Sequence, residues 1–361
     1  MRLFLFILVV LAGLTLCGAS LLPLIDSDRW WVRFADFPRL QLAILLGALV
    51  LVSMTFLRRY PKTAASLIVA MLIVIVHHAV VLWPYRPTGS RLAQQNCPSE
   101  GRLSVMVANV QLSNNPNGRL LEQVHRARPD VLLILEANDD WTEALAPLAE
   151  TMPHRQIHTT GSYFGIALYS RLPLVSPEVR YLAGQNTPQI VTGLELRTGE
   201  VVDFLGVHPR PPHPSQSALG RDAVLLKAGL LLRDADRPGV IAGDLNATPW
   251  ESAVGDMQRL ARLVDPRAGY GYLPTYDANS WWMAWPLDHV FYESGFAATR
   301  LALGERFGSD HYPYIARLCR VEPGRSDPPG TADPKLVEQA RSVIQRARRQ
   351  ADKQRADDGA G

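Results

Sequence analysis

Cysteine is scarce in this chain of 361 residues: Cys17, Cys97 and Cys319 are the only three. Three cysteines exclude a small secreted scaffold held together by dense disulfides. Charge is also thin, at 20% of residues, and three stretches contain no Asp, Glu, Lys or Arg at all: Leu3–Leu22, Leu40–Leu57 and Ala64–Trp83. Uncharged runs of that length argue against a wholly cytosolic soluble enzyme. What the chain has in plenty is apolar side chain, 47% of residues, which rules out a disordered polypeptide because so much Val, Leu and Ile can bury a large core. The length is that of two or three structural units. The formal net charge of +3 resolves into +5 for residues 1–100, +1 for 321–361 and therefore −3 for 101–320. A domain that grips nucleic acid without selectivity is expected to carry the opposite sign.

Each uncharged run has 18 to 20 residues, enough to cross a hydrocarbon core of roughly 30 Å as a helix. The sequence thus predicts three transmembrane helices over residues 1–83. Met1–Leu22 also has the outline of a cleaved signal peptide, with Arg2 ahead and Gly18-Ala19-Ser20 behind, although its apolar run is longer than the usual signal core. Orientation follows from the basic residues of short loops. Arg58, Arg59 and Lys62 lie within five residues and favour the cytoplasm, which sends the third helix outward and leaves the rest of the chain outside. Trp30-Trp31 and Trp83-Pro84-Tyr85 suit the membrane interface. The His77–His78 pair in the third run is expected to sit neutral near a helix contact. Residues 84–100, polar with Pro and Gly, read as a tether.

Beyond the tether the pattern changes to short apolar runs with helical stretches between them. Strands are predicted over Leu103–Val110, Val131–Leu135, Gly165–Ser170, Ile190–Leu196, Val201–Val207, Val240–Ala242, Val290–Tyr292 and Tyr312–Leu318. Helices are predicted over Arg119–Ala127, Trp141–Glu150 and Ser217–Arg233. Such a mixture implies a layered α/β or α+β sandwich. Polar groups recur where these strands begin or end: Asn109, Glu136, His208, Asp244 with Asn246, Asp288, and Asp310 with His311. Any one of them suits a turn. So many carboxylate, amide and imidazole groups at strand termini are more economically explained by one shared site.

Seven short motifs occur in order: Ala108-Asn109-Val110, Leu135-Glu136, Gly165 to Arg171 (Gly-Ile-Ala-Leu-Tyr-Ser-Arg), Val207-His208-Pro209, Gly243-Asp244-Leu245-Asn246, Leu287-Asp288-His289, and Gly308-Ser309-Asp310-His311-Tyr312-Pro313. In this ordered set residues 101–320 resemble the endonuclease/exonuclease/phosphatase superfamily, the metal-dependent phosphodiesterases that include pancreatic-type deoxyribonuclease and neutral sphingomyelinase. The resemblance implies a four-layer α/β sandwich with the site at one edge of two packed sheets. It implies Glu136 as the main metal ligand with Asn109 beside it, and Asp310 as a further ligand or brace. Hard oxygen donors suit Mg²⁺ or Mn²⁺. It implies His311 as general base, Asp288 orienting that ring, Asp244 and Asn246 positioning water and phosphoryl oxygens, and His208 donating to the transition-state phosphate.

One position departs from the nuclease pattern: Gln111 stands where many of these nucleases carry an acid, which weakens the case for a second metal. With apolar helices ahead of the domain, the chain is similar to bacterial membrane-anchored members. Arg210, in the Pro-rich segment after His208, suits a second phosphate or a solvated loop equally. Trp281, Trp282 and Trp285 suit either a substrate or loop packing. If Asn109 and Asp310-His311 reach one site, the first and last strands run antiparallel, and Cys97 should approach Cys319 at their far ends. Such a bond needs an oxidising compartment. Glu322–Pro334 reads as a linker, and Pro334–Ala356, basic with few apolar residues, as a solvated tail, helical or disordered.

The resulting expectation has four parts: a membrane anchor over 1–83, a tether over 84–100, a catalytic domain over 101–320 and a linker with basic tail over 321–361. The implied activity is hydrolysis of a phosphodiester, nuclease-like, with a phospholipid or sphingolipid diester or a phosphate monoester as alternatives, and an inactive binding module as the different-class alternative. The expected partners are the phosphate-ester substrate, nucleic acid or lipid headgroup, and the bilayer, with no protein partner. The expected location is a bacterial inner membrane with the domain in the periplasm or outside the cell.

Overall fold

A computed structural model describes residues 1–88, 97–321, 330 and 332–358 of the protein. It has two compact units: residues 1–86 with 212–218, and residues 87–211 with 219–361. The central part of the expected tether, residues 89–96, and most of the expected linker, 322–329 and 331, lie outside the described residues.

The first unit is helical: α1 (Arg2–Leu21), the short α2 (Trp30–Phe34), α3 (Arg39–Met54) and α4 (Pro61–Leu82). Cys17, Leu46, Leu67, Met71 and Val74 form its packed interior. Gly13 sits where a Cβ would come within 2.9 Å of the Leu67 side chain, so its lack of a side chain lets α1 approach α4. Between α2 and α3, Asp36 accepts from Arg39 at 2.9 and 2.6 Å, and both residues are buried. Arg39 also meets Nε2 of His77 at 3.2 Å, which gives that imidazole a local polar contact. Two segments, Arg2–Leu24 and Pro61–Tyr85, are long and apolar enough to cross a membrane. The second expected span, Leu40–Leu57, is not among them. Its helix, α3, has 16 residues, about 24 Å at 1.5 Å per residue, short of a roughly 30 Å core. The chain leaves the helix at Thr55, whose hydroxyl turns back onto Val52 O.

The second unit is mixed α/β with two sheets. In chain order its elements are β1 (Arg102–Asn109), α5 (Arg119–Ala127), β2 (Val131–Leu135), α6 (Asp139–Ala144), β3 (His154–His158), β4 (Ile166–Ser170), β5 (Leu174–Tyr181), β6 (Pro188–Glu195), β7 (Val201–Gly206), α7 (Leu219–Arg233), β8 (Gly239–Asp244), α8 (Ser252–Ala261), β9 (Asp288–Tyr292), β10 (Phe296–Leu303), β11 (Tyr314–Arg320) and α9 (Pro334–Asp358). The first sheet has the order β10-β11-β1-β2-β4-β3 and the second β5-β6-β7-β8-β9. Strand alternation divides the apolar residues between two faces. Leu103, Val105 and Val107 of β1 meet Phe204, Val240 and Val290 of the second sheet in one core. Met106 and Ala108 instead pack with Leu120, Val124 and Trp141 of α5 and α6. On the second sheet, Leu205, Ile241 and Phe291 pack with Val224, Ala228, Val254 and Met257 of α7 and α8. The layers therefore run helix, sheet, sheet, helix.

Three strands have no counterpart in the sequence expectation, β3, β5 and β10, and all three are sheet edges. An edge strand is half solvated, so its composition lacks the apolar run of a central strand. The expected helix over Trp141–Glu150 divides into α6 and a 3₁₀ turn, Ala146–Glu150, with Pro147 at the break.

The tail differs most from the expectation of a solvated segment. It forms the 25-residue α9, and Leu336, Val337, Ala340, Ile344 and Ala347 pack on Ala223, Leu226 and Leu230 of α7. The contact stripe repeats every three to four residues and includes two alanines, which let the helices approach closely. Helix α7 is buried on both faces, between the second sheet and α9.

The expected antiparallel pairing of the first and last strands is present, with Arg102 opposite Cys319, and Cys97 is bonded to Cys319. Cys17 is the one free cysteine.

Candidate active site

Register brings the polar strand ends together. Strands β1 and β2 run parallel with Asn109 opposite Leu135, so Glu136 follows one residue beyond its neighbour's end. Strands β7 and β8 are also parallel, and β8 pairs antiparallel with β9 so that Asp244 faces Asp288 directly. Two like charges opposite one another weaken a sheet. The arrangement is tolerated because an imidazole bridges them: His311 Nδ1 meets Asp288 Oδ2 at 2.7 Å, and its Nε2 lies 3.6 Å from Asp244 Oδ2.

Asn109 joins the two halves of the cluster. Its Nδ2 donates to Glu136 Oε1 and to Asp244 Oδ2, both at 3.1 Å, while its Oδ1 accepts from Gln111 N at 3.0 Å. Glu136 Oε2 accepts from Leu112 N at 2.8 Å. Asn246 donates its backbone N–H to Asp244 Oδ1 at 2.8 Å and its Nδ2 to Pro209 O at 3.0 Å. His208 Nε2 lies 3.9 Å from Asp244 Oδ2, too far for a hydrogen bond, and its Nδ1 has no partner among the described residues. Asp310 adjoins His311 and donates its N–H to Gln111 Oε1 at 3.2 Å. All eight candidate residues thus lie in one neighbourhood, linked by direct contacts or as chain neighbours.

The backbone at these points is shaped for the site. Glu136 and Asn246 have φ of 60° and 49°, the left-handed region that costs a residue with a Cβ of order 1–3 kcal/mol. A glycine would relieve that cost, so a carboxylate and an amide there indicate that the side chains are needed. At Gly243 the opposite holds: φ is 148° and a Cβ would lie 1.9 Å from Val207 O. Only glycine lets β8 approach the segment that carries His208.

Several supporting residues escaped the sequence reading. Ser309 Oγ donates to Asn109 O at 2.7 Å and accepts from His311 N at 3.0 Å, tying the two ends of the first sheet's central strands. Thr275 Oγ1 accepts from Asp288 N at 3.0 Å, and the Tyr276 ring centroid lies 4.9 Å from that of His311. Gln189 Oε1 accepts from His208 N at 2.6 Å. Gln111, noted only as a missing acid, braces Asp310. Ser309 stands inside a recognisable motif. Thr275 and Gln189 carry no local signal, because their role depends on chain segments far from them in sequence. The Arg210 guanidinium lies 4.7 Å over the Phe164 ring, which is 6.1 Å from the His208 ring, so this arginine is half-buried beside the cluster instead of solvated. The tryptophans divide: Trp285 is buried against Tyr276, whereas Trp281 is 93% exposed.

Burial dominates the electrostatics. It raises Glu136, against the opposing pull of hydrogen bonds from Leu112 and Asn109. It raises Asp310, opposed by His311, and pushes Asp244 up to about 7, opposed by His311 and reinforced by Asp288. Burial pulls His311 down, but the Asp288, Asp244 and Asp310 carboxylates outweigh it and lift the imidazole to about 10. His208 is lowered to about 4, by burial and then by the charge of His311, which keeps it neutral. His289, next to Asp288, points to the other face of β9, where its Nε2 meets Ala247 O at 2.9 Å.

Residues 106–311 match the model of the Endonuclease/Exonuclease/phosphatase family, more than half of the chain. The chain belongs to this family. Family members are hydrolases of phosphate esters that use divalent metals, and Asp244, Asp288 and His311, whose donor atoms lie within 4.8 Å of one another, form a possible metal site. No curated protein sequence matches the chain. Among solved structures, humanized D. rerio TDP2 is similar at TM-score 0.52 and 16% identity over 60% of this chain and 99% of that one. The human Nocturnin catalytic domain with bound sulfate is similar at TM-score 0.50 and 17% identity over 65% of this chain and 100% of that one. At these identities the likeness is one of fold.

Proposed function

We propose that the protein is a membrane-tethered, divalent-metal-dependent phosphodiesterase in which His311 activates the attacking water. The observation that carries this reading is the buried Asp288–His311 pair at 2.7 Å, whose Nε2 faces the Asn109-linked carboxylates. A carboxylate only accepts, so Nδ1 carries the proton and Nε2 is the atom that takes one from water. Asp288 holds the tautomer and offsets the imidazolium that forms. Asp244, fixed by Asn109 and by the backbone of Asn246, orients the water near Nε2. Neutral His208, with a free ring nitrogen, donates to the phosphoryl oxygens as their charge grows.

The residues present fit a divalent cation. Glu136 and Asp310 are partly buried carboxylates, and neither forms an ion pair with Lys or Arg among the described residues. Buried, uncompensated negative charge is costly, and a hard cation with oxygen ligands offsets it. Asp288 and His311 are already committed to each other, so we assign the cation to Glu136, with Asn109 and Asp310 at its side and Mg²⁺ or Mn²⁺ as the ion. When bound, it supplies charge that stabilises the phosphorane-like oxygens and offsets the carboxylate field holding the His311 proton.

Membrane attachment through residues 1–83 is supported by the exposure of α1 and α4: only 22% of each apolar span is buried within the protein, where a core helix would be mostly buried. The basic loop Arg58, Arg59 and Lys62 favours the cytoplasmic side, which carries the domain outward in a bacterial inner membrane. The Cys97–Cys319 bond suits an oxidising compartment there. A nucleic-acid diester is the first substrate reading. A lipid diester is the second, favoured by exposed Trp281 on a loop that starts and ends beside Tyr276 and His311.

The test is hydrolysis by the full chain in detergent with Mg²⁺, against bis-p-nitrophenyl phosphate, p-nitrophenyl phosphate, plasmid DNA and sphingomyelin vesicles. Diester cleavage that falls by about 10²–10⁴ in His311→Ala and loses its metal response in Glu136→Gln supports the assignment. Full activity in His311→Ala refutes it.

A further inference from the structure

A second cluster of charge lies at the other end of the first sheet. A cavity of about 710 Å³ opens there, lined by Arg102, Arg126, Arg128, Arg197, Arg300 and Arg317 together with Ser104 and Asp130. Asp130 is its single acidic residue, already ion-paired with Arg197 and accepting from Ser104 N at 2.8 Å. Arg126 reaches Glu305 at 3.0 Å, an exposed pair. Arg128, Arg300 and Arg317 have no acidic partner among the described residues. Ser104 lies five residues before Asn109 on β1, about 17 Å from the catalytic end at roughly 3.3 Å per residue.

The sheet register sharpens the case. Arg317 on β11 faces Arg300 on β10 directly and Ser104 on β1 on its other side. Alternation puts all three on the outer face, because Leu103, Leu318 and Leu301 beside them enter the core between the sheets. Two cations directly opposite in a ladder repel each other. Cations near the C-terminus of α5 complement its dipole, which accounts for Arg126 and Arg128 but not for the pair on the strands. Ser104 is 91% buried, and its Oγ has no hydrogen-bond partner among the described residues. Buried hydroxyls are normally satisfied, so an unpaired donor inside a ring of guanidinium groups indicates an acceptor that belongs there.

We propose that this cavity is a second, non-catalytic site that binds a phosphate-bearing anion, held by Arg300, Arg317 and Arg128 with a hydrogen bond from Ser104 Oγ. Guanidinium forks match phosphate oxygens two at a time, and the anion removes the repulsion between the paired arginines. A soluble phosphate ester and the headgroup of an anionic lipid share this chemistry. The site stands independently of the catalytic assignment.

The experiment measures thermal unfolding of the full chain in phosphatidylcholine nanodiscs, without added divalent metal and at constant ionic strength. One arm adds inorganic pyrophosphate, and the other replaces part of the lipid by phosphatidylglycerol. The midpoint should rise by about 5 °C at saturation in at least one arm. A rise with pyrophosphate alone identifies a soluble ligand, and a rise with phosphatidylglycerol alone identifies a lipid. In Arg300→Gln/Arg317→Gln the midpoint without anion should equal or exceed that of the parent, and the anion-dependent rise should vanish. Ser104→Ala should reduce the rise while leaving diester hydrolysis unchanged. No rise in either arm, or an undiminished rise in the double variant, overturns the proposal.

Discussion

Opening the Cys97–Cys319 bond tests the link between the first and last strands of the second unit. The bond spans a sequence separation of 222 residues. In the chain-entropy picture a closed loop of that size restricts the unfolded chain by about 5 kcal/mol, and measured losses for native disulfides run at about 2–5 kcal/mol. For a unit of roughly 250 described residues each kcal/mol corresponds to about 2–4 °C in the midpoint. Reduction should therefore lower the unfolding temperature of the full chain in detergent by about 5–15 °C. The fold itself should persist, because the ladder that pairs Arg102 with Cys319 and continues to Val107 with Tyr314 does not depend on the sulfurs. The double variant Cys97→Ser/Cys319→Ser should start at the reduced midpoint and ignore reductant, since the remaining Cys17 is free. A midpoint unchanged by reduction would refute the entropic argument. Free thiols at both Cys97 and Cys319, three in all with Cys17, in the non-reduced mass spectrum of protein exported by its host would remove the bond and weaken the placement outside the cytoplasm.

Asp288→Asn keeps the size of the side chain but replaces the acceptor that fixes His311, and it should lower kcat by about 10³–10⁴ with little change in KM; steady-state kinetics on the diester checks this, and a variant within a factor of ten of the parent contradicts it. Ile344→Asp places a charge in the buried contact between α9 and α7 and should cost about 2–4 kcal/mol locally. Hydrogen exchange should then show amide protection lost over residues 334–358 and kept in the two sheets. Glu293, which accepts from Gly239 N at 2.6 Å, is raised from 4.5 to about 7 by burial, with Asp203 adding to it and the Gly239 hydrogen bond and Arg262 opposing it. The folded state then holds a proton that the unfolded chain releases between pH 4.5 and 7, so stability present below pH 4.5 is lost as pH rises through 7. Glu293→Gln should recover up to about 3 kcal/mol at pH 8 and nothing at pH 4, read from unfolding midpoints at the two pH values; an equal gain at both would point to packing instead.

The outline of the site was legible because chemistry restricts which residues can stand there. Asn109, Glu136 and Asp244 close apolar strands and Asp288 and His311 open them, so each lies at or beside a strand end where side chains from both sheets converge. The braces were not legible. Ser309, Thr275 and Gln189 act on partners that are distant in sequence, and a lone hydroxyl or amide has no periodicity that points at its target. Edge strands β3, β5 and β10 escaped for a related reason, since partial solvation leaves them without a continuous apolar run. The second apolar run, Leu40–Leu57, has the composition of a spanning helix, yet its helix ends at Met54. Composition reports what a segment tolerates, and hydrogen bonding decides how far the helix runs.

The sequence by itself determined the division between the apolar helices and the mixed α/β part, the alternation that builds two sheets, and the identity of the candidate site residues, because these depend on local composition and on order along the chain. Tertiary structure alone decided that the basic tail docks as α9, since its narrow stripe of Leu336, Val337, Ala340, Ile344 and Ala347 is buried only when α7 lies against it. It also decided that Asp244 and Asp288 face each other across His311, and that Arg300 faces Arg317 beside an unpaired serine. Those facts are matters of register between strands, where one residue of slip would turn every side chain to the opposite face.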